Sequence, residues 1–135
     1  MAKKTSKRKT LNILDKNKKH SQFDYTEIFR HIRTNIEFST VDKDIKSICI
    51  TSSQAGEAKT TLSINLAYIF ATKYNRVLLI DCDLRRPVQN KIFSLENKKG
   101  LSSVLGRMEK IDDVINKNVV DNMDVITSGP MPPNP

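Results

Sequence analysis

The sequence predicts an α/β fold in which helices flank a small parallel sheet, and two observations carry that expectation. Strand-like apolar runs bracket a segment with helical periodicity, and the connection into that segment is short, polar and hydroxyl-rich. Residues 45–51 (IKSICIT) and 76–83 (RVLLIDCD) are runs of β-branched and aliphatic residues. The second is almost continuously apolar, as a strand buried on both faces is. Between them Leu62, Leu66, Ile69 and Phe70 recur at spacings of three and four, which predicts a helix over 60–73. Strand, loop, helix, strand makes a βαβ unit with a right-handed crossover, and the simplest pairing sets its two strands side by side in parallel.

The other elements follow from the same rules. Upstream, residues 23–39 place Phe29, Ile32 and Ile36 at helical spacing, with Asp24 three residues before Glu27 as a capping-box-like start. Downstream, Pro87 opens a short helix, Gly100 to Gly106 encloses a helical turn or two, and residues 111–117 read as helical. MDVIT at 123–127 reads as a third strand. Doubly wound sheets usually have five or more strands and this chain offers about three, so the expected sheet is incomplete at its C-terminal end or unusually small.

Composition narrows the class. A chain of 135 residues makes one domain of ordinary size, burying roughly two thirds of its unfolded surface. Hydrophobic residues are 38% and charged residues 28%, with four Gly and five Pro. No apolar run approaches the ~20 residues of a membrane span, so a spanning helix, a collagen-like chain and wholesale disorder are excluded. Cys49 and Cys82 sit inside the strand-like runs, and the N-terminus lacks the apolar stretch of a secretory signal. Both cysteines are expected to be reduced core residues of a cytosolic protein.

The net charge of +8 is concentrated at one end: residues 1–20 hold eight Lys or Arg against one Asp. This segment is expected to be a flexible basic tail, and residues 21–135 the folded domain. An anionic lipid surface or a nucleic acid fits such a tail, and a merely solubilising tail is the plainer reading.

The segment TSSQAGEAKTT (51–61) lies between a strand and a helix, where a phosphate-binding loop belongs. In such a loop, backbone N–H groups and the positive end of the helix surround the phosphates. A lysine reaches the β and γ phosphates and a hydroxyl holds Mg²⁺, roles that fall on Lys59 and Thr60. Gly56 allows close backbone approach, but Ala58 stands where glycine normally precedes the lysine. A Cβ in a positive-φ position there costs about 1 to 2 kcal/mol. Taken alone, GEAKTT reads equally well as an exposed loop capped by Thr at a helix start.

At the end of the second strand, Asp81 and Asp83 are spaced two apart. Ligands of open α/β sheets gather at the carboxyl ends of strands, so these carboxylates are expected to flank the phosphate loop. Carboxylates there bind Mg²⁺ or accept a hydroxyl proton, as γ-phosphoryl transfer requires. By itself an Asp-x-Asp at a strand end is more often a turn signal. With the loop upstream, the expected architecture is P-loop NTPase-like.

The combination of IDCDLRRP after GEAKTT, with EIFRHIRTNIEFS upstream and GLSSVL and DVITSGPMPPNP downstream, resembles the bacterial tyrosine kinases of capsule and exopolysaccharide synthesis. The resemblance runs from residue 24 to residue 135. It implies that Lys59 and Thr60 bind ATP and Mg²⁺ within a loop formed by Gly56, Glu57, Ala58 and Thr61. It also implies that Asp81 and Asp83 activate the tyrosine hydroxyl, that Asp83 supports the metal with Thr60, and that Arg85 completes the motif. Glu27, Arg30 and Arg33 match the family's Glu-x-x-Arg-x-x-Arg pattern, used there at the interface of a ring-shaped oligomer. Spacings of three hold them on one helix stripe. Without the resemblance, Glu27 reads as a helix cap and the arginines as solvated.

In that family PPNP is followed by a strand bearing a third ATP-site motif and by a C-terminal tyrosine cluster. Tyr25, Tyr68 and Tyr74 instead lie in or beside expected helices, where packing is the simpler role. The resemblance therefore implies a truncated member, and a sheet lacking a central strand is expected to be marginally soluble and weakly active.

The leading function is an ATP-dependent protein-tyrosine kinase that controls polysaccharide synthesis and export. Its implied partners are a membrane-embedded activator, further copies of the chain and tyrosine-bearing proteins, with no nucleic acid. It is expected at the cytoplasmic face of the plasma membrane, where each Lys or Arg of the tail contributes up to about 1 kcal/mol. One alternative is a partition or septum-site ATPase, whose second lysine five positions before the main one is here Gln54. Another is a catalytically impaired remnant that only oligomerises.

Overall fold

The computed structural model describes residues 25–43 and 45–135. The basic tail and the expected capping residue Asp24 lie outside them. Helix α1 (Tyr25–Phe38) precedes α2 (Lys59–Ala71), strand β1 (Val77–Ile80), short helices α3 (Gln89–Phe93), α4 (Leu101–Leu105) and α5 (Ile111–Val114), and strands β2 (Asn116–Val120) and β3 (Met123–Ile126).

The sheet has the order β1-β3-β2. β1 runs parallel to β3, with Val77 opposite Met123 and Ile80 opposite Ile126. β2 returns antiparallel, with Val120 opposite Met123. The central strand is the most deeply buried: Met123, Val125 and Ile126 are each at most 1% exposed. Against it pack Ile64 and Ala71 of α2, Leu79 of β1 and Phe93 of α3, which form the core. α2 holds its place because Ile64, Leu66, Ile69 and Ala71 are buried around its circumference rather than along one stripe. α1 buries no residue completely and packs on α2 from outside.

Four expectations are corrected. Residues 45–50 form no strand, and the side chains of 45–49 are exposed. A strand exists only where a neighbour accepts its ladder, and β1 is paired with β3 instead, so the expected parallel pair of 45–51 with 76–83 is absent. β1 therefore ends the sheet, and only Leu79 of its four residues is buried. Cys49 and Cys82, expected in the core, are exposed free thiols for the same reason. The helix expected over 111–117 stops at Val114, and the chain enters β2, so the sheet carries an antiparallel strand.

The segment after β3 is tied to the start of α4. Leu101 and Ser102 donate their amides to the carbonyls of Thr127 and Ser128, both at 2.8 Å, and Ser102 Oγ donates to the Pro130 carbonyl at 2.7 Å. Gly100 permits this approach: a Cβ built there lies 2.3 Å from Thr127 O and 2.4 Å from Gly129 N. Among the described residues no helix is long and apolar enough to cross a membrane.

Candidate phosphate-binding site

Residues 51–58 connect residues 45–50 to α2, and their backbone is shaped by two positive φ angles. Gly56 has φ +84°, with no atom within 4 Å of the position a Cβ would take. Ala58, at the N-cap of α2, has φ 60° and ψ 22°. The position thus requires the left-handed conformation that the expected glycine would adopt without strain. No side chain caps the helix, so the Thr-capped alternative is not what forms. Leu62 N–H donates to Ala58 O at 2.9 Å, and the amides of Lys59, Thr60 and Thr61 precede that first helical bond. Successive amides on a backbone that alternates between the two helical hands form a concave anion receptor, and the N-terminal end of a 13-residue helix adds to it.

The loop is held by its own side chains. Lys59 Nζ folds back to donate to Ser52 Oγ at 2.8 Å and to Gln54 O at 3.2 Å. Ser52 Oγ donates to Gln54 O at 2.8 Å, and the Glu57 carboxylate accepts the Gln54 amide at 3.1 Å. The Gln54 amide, with a smaller contribution from the Ser52 hydroxyl, holds the Glu57 carboxyl below its ordinary range. Two further bonds brace the first turns of the helix: Ser63 Oγ to Lys59 O at 2.7 Å and Asn65 Nδ2 to Thr61 O at 2.8 Å. Ser52 was missed by sequence reasoning, although its hydroxyl next to a glycine-bearing loop was the available signal.

The two carboxylates after β1 have different surroundings. Asp81 is 4% exposed, and its two oxygens accept the amides of Asp83 at 3.1 Å and Gln89 at 3.3 Å. Burial pushes its carboxyl above the ordinary range, against the opposing effect of those two amides. Asp81 thus shapes the loop from 82 to 88. Asp83 is exposed, and one of its oxygens accepts the amides of Arg85 at 3.2 Å and Arg86 at 2.8 Å. Among the described residues no hydrogen bond reaches its second oxygen. The Arg85 guanidinium donates to the Pro135 carbonyl at 3.3 Å. Among the described residues no hydrogen bond or ion pair joins Lys59 to either aspartate. The loop and the carboxylates are both formed, but they are not linked.

On α1, Arg30 donates to Glu27 at 3.1 Å, and both side chains are about half exposed. His31 lies 3.6 Å from the same carboxylate. Arg33 departs from this stripe. Its guanidinium donates to Ile69 O at 2.9 Å and to Thr72 Oγ1 at 3.3 Å, at the far end of α2.

The residues fit a nucleotide phosphate with its cation. The loop offers open space at Gly56, unclaimed helix amides and a lysine already turned across it. The described residues contain no cluster of three or more His, Cys, Asp or Glu able to hold a metal alone. Mg²⁺ takes one or two protein oxygens and the rest from phosphates and water. The AAA-domain family pattern matches residues 45–131. The chain belongs to that family. Tyrosine-protein kinase YwqD of Bacillus subtilis is 48% identical over 110 residues, covering 82% of this chain and 46% of its own length. The chimerical protein CapA2B2 superposes with a TM-score of 0.75 at 41% identity, covering 87% of this chain and 51% of that one. The kinase domain of the Escherichia coli tyrosine kinase ETK superposes with a TM-score of 0.70 at 31% identity, covering 82% and 44% respectively. The resemblance to bacterial tyrosine kinases is borne out, and the chain spans about half the length of these relatives.

Proposed function

We propose that this chain is the nucleotide-binding part of an ATP-dependent protein-tyrosine kinase of capsule or exopolysaccharide synthesis. The observation that carries the reading is the uncapped α2 N-terminus behind a loop with Ala58 in the left-handed conformation and Lys59 folded over it. When bound, Mg²⁺-ATP supplies the transferable phosphoryl group. The Lys59 ammonium and the amides of Gly56 to Thr61 hold the phosphate charge. The Thr60 hydroxyl and the second oxygen of Asp83 offer ligands to the cation. Asp83 is also the exposed carboxylate able to take the proton of a tyrosine hydroxyl, while buried Asp81 fixes the loop and Arg85 flanks it.

Glu27 and Arg30, exposed on α1, are the residues offered to a neighbouring copy in a ring, whereas Arg33, the third residue of the pattern, is engaged with α2 of its own chain. The basic tail supports a site of action at the inner face of a membrane, and the family resemblance implies an embedded activator of polymer export beside it. A second reading, binding without transfer, is favoured by the engagement of Lys59 with Ser52 and Gln54 inside the loop. It matches an impaired oligomerising remnant.

The test is thermal unfolding of this chain with and without Mg²⁺-ATP, beside Lys59→Ala. Ligand at 100 times its dissociation constant adds about 2.7 kcal/mol, several degrees for a domain of this size. A shift lost in Lys59→Ala supports the phosphate loop, and an equal shift in both chains rejects it. Phosphotyrosine formed on an added protein substrate then separates transfer from binding alone.

A further inference from the structure

Helix α2 carries the phosphate loop at one end, and its other end is gripped by α1. Thirteen residues at about 1.5 Å each put roughly 20 Å between Lys59 and Ala71. At the far end Arg33 reaches across from α1 to the Ile69 carbonyl at 2.9 Å and the Thr72 hydroxyl at 3.3 Å. Thr72 Oγ1 donates to that same carbonyl at 2.7 Å, so one acceptor at the helix terminus receives two donors. The Arg33 side chain is only 16% exposed. Its Nε is buried without a hydrogen bond and lies 3.9 Å from Glu37 Oε1. Glu37 in turn accepts Lys73 Nζ at 2.8 Å and the Tyr74 hydroxyl at 2.9 Å. Two residues of α1 therefore bind four positions in the last turn of α2 and just beyond it.

This is an unusual investment for a helix that buries no residue completely. Carbonyls at a helix C-terminus carry partial negative charge, and a guanidinium there satisfies them while its planar fork fixes an orientation that a lysine cannot. A helix is stiff along its axis, so a grip at one end sets the angle and depth of the other. From these contacts we infer that Arg33 is a positioning residue for the phosphate loop, acting through α2 rather than by touching the nucleotide. The inference rests on the nucleotide-binding reading above for its ligand, and on geometry alone for its mechanical part. It assigns Arg33 work inside its own chain, apart from the exposed Glu27–Arg30 pair.

The experiment uses the 135-residue chain with Arg33→Lys, which keeps the charge but loses the fork, and Thr72→Val, which removes one acceptor at an exposed turn. Val114→Ala, in α5, is a destabilised control remote from α2. Two readouts are taken at a temperature where every variant is folded: amide hydrogen exchange, and titration with Mg²⁺-ATP. Both clamp variants should speed exchange of the amides of residues 62–66, at the loop end of α2, by at least about fivefold, the lower end of ordinary site-to-site coupling. They should weaken Mg²⁺-ATP affinity by a similar factor, while Val114→Ala leaves affinity unchanged and speeds exchange across the whole core rather than at residues 62–66 in particular. Faster exchange confined to the last turn of α2 overturns the inference, as does wild-type affinity in both clamp variants. Wild-type chain that takes up no Mg²⁺-ATP defeats the nucleotide reading instead, and the exchange data still decide the role of Arg33.

Discussion

Replacing Ala58 with glycine tests the geometry of the loop directly. Ala58 has φ 60° and ψ 22°, where the Cβ of an L-residue crowds its own backbone at a cost of about 1–2 kcal/mol. Glycine removes that cost but adds about 0.4–1 kcal/mol of unfolded-chain entropy. The difference leaves Ala58→Gly more stable by about 1 kcal/mol. For a chain of this length that raises the unfolding midpoint by about 3–5 °C. Ala58→Val supplies the opposite sign, since a β-branched side chain tolerates positive φ least. Calorimetry or a denaturant titration of the three chains reads the series. An unchanged or lowered midpoint in Ala58→Gly, or no loss in Ala58→Val, would refute the left-handed assignment. The Ala58 methyl group takes no part in the hydrogen bonds that hold the loop. The Mg²⁺-ATP shift should therefore be the same in Ala58→Gly as in the parent, with only the baseline moved.

Two other perturbations probe the frame around the site. In Gly100→Ala the new methyl meets backbone atoms on both sides, Thr127 O at 2.3 Å and Gly129 N at 2.4 Å, so no side-chain rotation relieves it. A loss of at least the usual ~1–3 kcal/mol of overpacking is expected in the denaturant midpoint. Glu37 is held below its ordinary value of 4.5, chiefly by the Lys73 hydrogen bond. Because the folded carboxyl is the stronger acid, its contribution is complete above pH 4.5 and disappears as pH falls through the lower folded value. Stability measured from pH 7 downward should therefore lose part of its acid slope in Glu37→Gln, together with some stability at pH 7.

The elements legible in the sequence were those whose burial depends on a local pattern. Spacings of three and four marked α2, and the compact apolar run MDVI marked β3, which became the central strand. IKSICIT has equal β propensity, yet it forms no strand, because a ladder needs a neighbour that this fold does not place beside it. Strand β2 was missed for the converse reason. NKNVV lacks an alternating apolar pattern, and it pairs because a two-residue turn at Asp121 and Asn122 folds it back on β3, with Asn122 at φ 62°. That turn was the available signal, since Asx residues favour hairpin connections.

The candidate site divides the same way. The loop before α2 was readable from its place between an apolar run and a helical period, and the positive φ at Ala58 answers the condition under which a Cβ there is strained. The two aspartates were not separable by spacing: residues two apart on a strand's end look equivalent until burial decides which one the backbone claims. Asp81, 4% exposed, has each of its oxygens engaged by a backbone amide, whereas exposed Asp83 receives both of its amides on one oxygen. Arg33 shows the same limit on a helix. Its period placed it on a stripe with Glu27 and Arg30, but period says nothing of what packs nearby, and the carbonyl of Ile69 takes it away from solvent. A charge-neutralising Asp83→Asn should therefore impair phosphoryl transfer in any chain that performs it while leaving the unfolding midpoint near that of the parent. Asp81→Asn should lower the midpoint, because an amide replaces one of the two oxygens that hold residues 83 and 89. If both substitutions spared the fold and both abolished transfer, burial would be the wrong criterion for dividing the pair.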